Sequence, residues 1–171
     1  MSSEIRIQQD YVIEISSNFS FLKVKDLAEL ATLAEKYYQS DPNTSVIKCR
    51  QFIEVCAKYI SAKIGIYEDI KNEKLIYLLN QLRNKKVIKT RIYYLFNDVR
   101  ELANSEVHLD PANSTTINTE SDNKITSDTA LKCVKKVHKL AIWFHKAFHL
   151  DEKKPFKEPI YQVLPSQAIY P

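Results

Sequence analysis

A chain of 171 residues with one glycine, Gly65, has few folds open to it. Glycine supplies the positive φ and the close backbone approach that tight turns and phosphate-cradling loops require. Walker-type loops and dinucleotide-binding fingerprints need several glycines at set spacing, so neither can be written in this sequence. A free-standing NTPase or Rossmann enzyme is therefore excluded. All-β folds closed by tight hairpins draw on glycine too. What remains is an all-α fold: a bundle of about five helices, with a mobile loop before the last helix and an extended C-terminal tail.

Apolar periodicity places the helices. Leu27, Leu30, Ala31, Ala34, Tyr37 and Tyr38 recur at helical spacing and predict a first helix from about Asp26 to Gln39. Phe19 and Phe21, just before it, are suited to pin the N-terminal segment onto the core. Asp41 is a good N-cap and Pro42 fits the first helical position, where its missing N–H costs nothing. The second helix then has Ile47, Cys49, Phe52, Ile53, Cys56, Ile60 and Ile64 on its apolar face, and Gly65 sits where a left-handed residue would end it. A short helix over Glu73–Arg83, a basic connector Asn84–Lys89 and a fourth helix over Thr90–Val107 follow. Pro, Asn, Ser, Thr and Asp dominate Leu109–Ile125, which predicts a loop. The last helix runs from Ser127 to about His149. The domain reading is residues 1–17 as an N-terminal segment, 18–150 as the bundle, and 151–171 as a Pro-containing tail or linker to a further domain.

The setting follows from charge and cysteine usage. Net charge is +4, which permits a polyanionic partner without demanding one. Cys49, Cys56 and Cys133 are odd in number, lie in apolar helical patterns and form no CxxC pair, so they read as core residues in a reducing cytoplasm. No stretch is apolar for long enough to span a bilayer. His138, His145 and His149 lack the Glu of a zinc-protease helix and read as surface or capping residues, so no metal and no cofactor is expected.

Three constellations carry chemistry. Arg100, Asn104 and His108 recur at i, i+4, i+8, which puts a guanidinium, an amide and an imidazole in a row on one helix face. Such a row suits RNA cleavage: the imidazole takes the 2′-hydroxyl proton and the arginine stabilises charge on the phosphate. The structural alternative pairs Arg100 with a carboxylate such as Glu54 and uses Asn104 and His108 to cap or cross-link helices. Arg50 and Glu54, at i, i+4, would join that row in one polar network if the second and fourth helices are antiparallel neighbours. Lys132, Lys135, Lys136 and Lys139 form a stripe at i, i+3, i+4, i+7 that could hold a phosphate backbone, or be the solvated face of an amphipathic helix. Lys85, Lys86, Lys89 and Arg91 would extend it if they lie nearby; the aromatic residues keep core periodicity, so no base-stacking platform is expected.

Several segments occur together in a recognisable order: Asn18-Phe-Ser-Phe-Leu, Asp41-Pro-Asn, Val46-Ile-Lys-Cys-Arg50-Gln-Phe-Ile-Glu54, Asp98-Val-Arg100 with Asn104 and His108, and Leu140-Ala-Ile-Trp143-Phe-His145. Over roughly residues 18–160 the chain resembles the helical domain at the N-terminus of many type I restriction endonuclease R subunits and related DEAD/DEAH-box helicases. That domain is similar in turn to the HEPN helical bundles, many of them dimeric ribonucleases. Arg100, Asn104 and His108 fall at the HEPN arginine, polar and histidine positions. Seven residues separate Arg100 from His108, more than in active HEPN nucleases, and Ala103 stands where the R-subunit domain commonly has glycine.

The resemblance implies a cytoplasmic accessory domain from the N-terminal end of an ATP-dependent DNA-processing subunit. Its expected partners are other subunits of a restriction-type complex, DNA or RNA, or a second copy in a homodimer, and no membrane. The motor and nuclease chemistry would lie downstream. The competing expectation is a metal-independent HEPN-like ribonuclease using Arg100, Asn104 and His108.

Overall fold

The computed structural model describes residues 17–107 and 125–164. Among them the regular structure is entirely α-helical: α1 (Lys25–Tyr37), α2 (Pro42–Lys63), α3 (Tyr67–Ile70), α4 (Leu75–Asn84), α5 (Thr90–Val107) and α6 (Ser127–Phe148). The all-α bundle is as expected; the single-turn α3 was not legible as a helix. The predicted loop over Leu109–Ile125 lies outside the described residues except for Ile125, which is buried.

The helix boundaries have local causes. The Asp41 carboxylate accepts the Thr44 backbone N–H at 3.1 Å and the Thr44 hydroxyl at 2.6 Å, which satisfies a donor that the first turn of α2 leaves unpaired. Gly65 ends that helix with φ 80°: its N–H reaches the Ala62 carbonyl at 3.2 Å, and the Ile66 N–H reaches Ser61 at 3.0 Å. Thr126 caps α6 by accepting the Thr129 N–H at 3.2 Å.

The longest-reaching element is α2, which packs against α1, α3, α4, α5 and α6. Phe52, Ile53, Cys56, Ala57 and Ile60 are fully buried along it, whereas Ile47, expected on the apolar face, is 44% exposed. α6 lies across α1, α2 and α5 and contributes Val134, Val137, Leu140, Ala141 and Phe144 to the same core. All three cysteines are buried and free; burial pushes the Cys56 thiol well up, and burial beside Cys133 does the same to Cys49. No helix among the described residues is long and apolar enough to cross a membrane.

His138 and His145 are buried, contrary to their reading as surface or capping residues. The reason is tertiary: the segment before α1 and the irregular segment after α6 close over them. Phe19, Phe21 and Tyr161 pack edge-on against His138, and Phe21 and Phe156 pack against His145. The C-terminal segment, read as an extended tail, has no regular secondary structure over 155–164, and up to Leu164 it is held against the bundle. Asn18 clamps it, donating to the Gln162 carbonyl at 2.8 Å and accepting from the Gln162 N–H at 2.8 Å. Asn18 also donates to the buried Glu35 carboxylate, which takes the Ser17 hydroxyl at 2.7 Å as well. Burial outweighs those hydrogen bonds and holds the Glu35 carboxyl above its ordinary range.

Candidate functional site

Two polar regions stand out. One is a pocket of about 430 Å³ between the first half of α2, the second half of α5 and the N-terminal end of α4. Arg50 and Glu54 line it from α2, and Arg100 and Asn104 from α5. The Arg50 guanidinium donates through Nε to Glu54 at 3.1 Å and through a terminal nitrogen to the Asn104 carbonyl oxygen. The second contact joins α2 to α5, which pack against each other. Arg100 does not pair with Glu54. It donates to the Asn97 side chain, one turn back on α5, at 3.1 and 2.8 Å, and stands 3.6 Å from Glu101. Helical i, i+3 spacing makes Asn97 the nearer acceptor.

Lys58, Lys71 and Lys74 also border this pocket, against Glu73 and Glu54, so the cavity is net basic. Lys58 extends the i, i+4, i+8 row Arg50–Glu54–Lys58, and that spacing was readable in advance. Lys71 and Lys74 come from the connection between α3 and α4, where no periodic signal points to them. Among the described residues the pocket contains no histidine, and His108 lies outside the described residues. What the described side chains offer an anion is a net positive charge, with the Arg50 and Arg100 guanidiniums each held by hydrogen bonds to neighbouring side chains.

The second region is the outer face of α6. Lys132, Lys135 and Lys139 are exposed; Lys136 is half-buried and pairs with Asp98 of α5 at 2.8 Å. Arg91 of α5 and Lys139 of α6 face each other across a shallow groove. Trp143 lines that groove, and the 54% exposed Tyr94 lies beside it. Aromatic and basic side chains are thus neighbours after all. Their alternation is invisible along the sequence because α5 and α6 each contribute part of it.

His138 and His145 of α6, with His149 at its C-cap, belong to no metal-binding cluster among the described residues. No group of three or more His, Cys, Asp or Glu with metal-binding geometry occurs among the described residues. Desolvation lowers the pKa of His138, His145 and His149; Lys23 adds to it at His145, and Lys23 and Lys63 at His149.

The described residues thus form an all-α bundle with a net-basic pocket on one side and a largely basic groove on another. The chain is 31% identical over 154 residues to the EcoKI type I restriction enzyme endonuclease subunit of Escherichia coli (strain K12). The alignment takes in 89% of this chain and 12% of that protein, so the chain spans about an eighth of its relative's length. No family model matches the chain, and no solved structure matches it.

Proposed function

We propose that this chain is an accessory helical domain of a type I restriction endonuclease subunit-like, ATP-dependent DNA-processing protein of the cytoplasm. It acts by docking onto companion subunits or by binding nucleic acid. The observation that carries the reading is the similarity to the EcoKI endonuclease subunit, continuous over most of this chain yet confined to a small part of that protein. A basic surface on a rigid helical frame supports it, because charge alone gives a phosphate backbone its affinity. The purified chain is expected to bind DNA in a salt-dependent way, to associate with companion subunits of a restriction-type complex, and to hydrolyse no ATP. Replacement of Lys132, Lys135, Lys136 and Lys139 by Gln is expected to weaken the DNA binding and flatten its salt dependence. ATPase activity of the chain itself would overturn the reading.

One observation favours a second reading. Arg100 and Asn104, two members of the row that resembles the HEPN motif, share a single pocket with Arg50. A metal-independent ribonuclease built on Arg100, Asn104 and His108 predicts RNA cleavage that survives EDTA and disappears in Arg100→Ala and His108→Ala. RNA left intact by the wild-type chain removes this reading.

A further inference from the structure

Between α5 and the second half of α6 lies a groove of about 460 Å³. Its floor is apolar, made by Leu95 of α5 with Ile142 and Trp143 of α6. Its edges are largely basic: Arg91, Lys139 and Lys146 line it, with the Glu158 carboxylate beside Lys146. A second depression, of about 490 Å³, shares Arg91, Leu95 and Lys139 and brings in the exposed ring of Tyr94 and Asp98, whose carboxylate is held by Lys136. The two make one continuous surface.

Several of these charges have no carboxylate partner among the described residues. Lys146 is held by Glu158 at 2.5 Å and Lys136 by Asp98 at 2.8 Å. Among the described residues no carboxylate pairs with Arg91 or Lys139, nor with Lys132 and Lys135 further back on α6. From Lys132 to Lys146 the helix rises about 21 Å, a span of several nucleotides. The surface therefore has a line of cations alongside an aromatic, apolar floor.

That combination selects among polyanions. Acidic protein segments need the cations but make no particular use of an aromatic floor. Duplex DNA offers phosphates but keeps its bases stacked inside. An unpaired strand offers both parts at once, phosphates for the basic edge and the flat face of a base for the floor. We propose that the α5/α6 groove binds single-stranded nucleic acid, with Arg91 and Lys139 on the phosphates, Lys132 and Lys135 extending the track, and a base seated against Trp143 and Tyr94. The proposal rests on the nucleic-acid arm of the function above and assigns it a site and a strand state.

Trp143 is the single tryptophan of the chain, so intrinsic emission reads this groove directly. Titration of the whole chain with a short oligo-dT at low salt is expected to quench that emission saturably, and added salt to restore it. The exposed pair Arg91→Gln and Lys139→Gln is expected to weaken binding about tenfold and to lower the slope of log K against log salt by about 1.4, two single-strand phosphate contacts' worth. Lys25→Gln with Lys36→Gln, the same loss of charge on α1, is expected to change affinity less than about twofold. Equal weakening by the two double variants overturns the proposal, as does oligo-dT binding with no change in Trp143 emission. Duplex DNA that binds as tightly as oligo-dT and leaves the emission unchanged sinks the groove but spares the broader nucleic-acid reading. A poly-glutamate peptide that quenches and displaces oligo-dT would make the groove a protein-docking site instead. If neither DNA form binds, both the groove and the nucleic-acid reading fall.

Discussion

Gly65 and Lys86 occupy the same place in two helix C-termini and hold the same left-handed backbone, φ 80° and φ 57°. The hydrogen bonds match as well: Lys86 N–H to the Arg83 carbonyl at 2.9 Å and Val87 N–H to Leu82 at 3.0 Å repeat the pattern that ends α2. Only glycine adopts this φ without steric cost. A Cβ on Gly65 would meet nothing within 4 Å, so Gly65→Ala isolates the conformational term. It is expected to destabilise the chain by about 1–2 kcal/mol in urea unfolding. Lys86→Gly is expected to do the reverse by about 0.5 kcal/mol, the left-handed penalty less the extra freedom of an unfolded glycine. Loss of stability in both variants would contradict this account. Gly65 was readable as a cap because glycine announces the conformation; Lys86 was not, because nothing about a lysine does.

Among the elements, α2 carries the most. It touches the other five helices, and its central Phe52 is fully enclosed. Phe52→Ala is expected to cost about 3–5 kcal/mol, lost transfer energy plus a cavity that surrounding helices cannot fill. Ile47→Ala, on the exposed side of the same helix, should stay within about 0.5 kcal/mol, and comparable urea midpoints for the two variants would undo the assignment of α2 as the hub. Periodicity located α2, α5 and α6 because a helix that buries one stripe must repeat its apolar residues. The same periodicity overassigned Ile47: the buried stripe at the start of α2 runs through Ser45, Val46, Cys49, Phe52 and Ile53, and Ile47 lies off it on the side of Arg50 and Glu54. It was also silent about Glu35, a carboxylate set among Ala31, Ala34 and Tyr38, whose burial depends on Ser17 and Asn18 donating to it from another segment.

At the scale of the whole molecule, the chain's two distant segments meet over α6 and α1. Asn18 joins them, and beneath lie the side chains whose protonation folding has shifted. Burial lowers the pKa of His138, His145 and His149, and Nε2 of His138 and Nδ1 of His145 are buried without a hydrogen-bond partner among the described residues. The unfolded chain therefore binds protons at these sites more readily than the folded one. Their contribution is complete above the ordinary histidine value near 6.5 and is lost as pH falls through it toward the lowered values. Glu35 acts in the opposite sense: its carboxyl is raised, so its charge weakens the fold above the raised value, and acid relieves that cost. In Glu35→Gln the histidines act alone, and the urea midpoint is expected to drop between pH 7.5 and pH 5.5. A midpoint that holds steady or rises in that variant would rule out the histidines as the acid-labile groups.

Local chemistry alone determined the helical class, the caps at Asp41 and Gly65, and most of the apolar stripes. Each of these depends on residues within a turn or two of one another, and the sequence displays such neighbours side by side. The tertiary structure alone decided that Arg50 meets Asn104 while Arg100 turns to Asn97, that His138 and His145 are covered, and that Arg91, Lys139 and Trp143 line one groove. Those outcomes depend on which helix faces which. That choice is made by the summed burial of many apolar side chains, and it carries the polar groups on the same helices along with it.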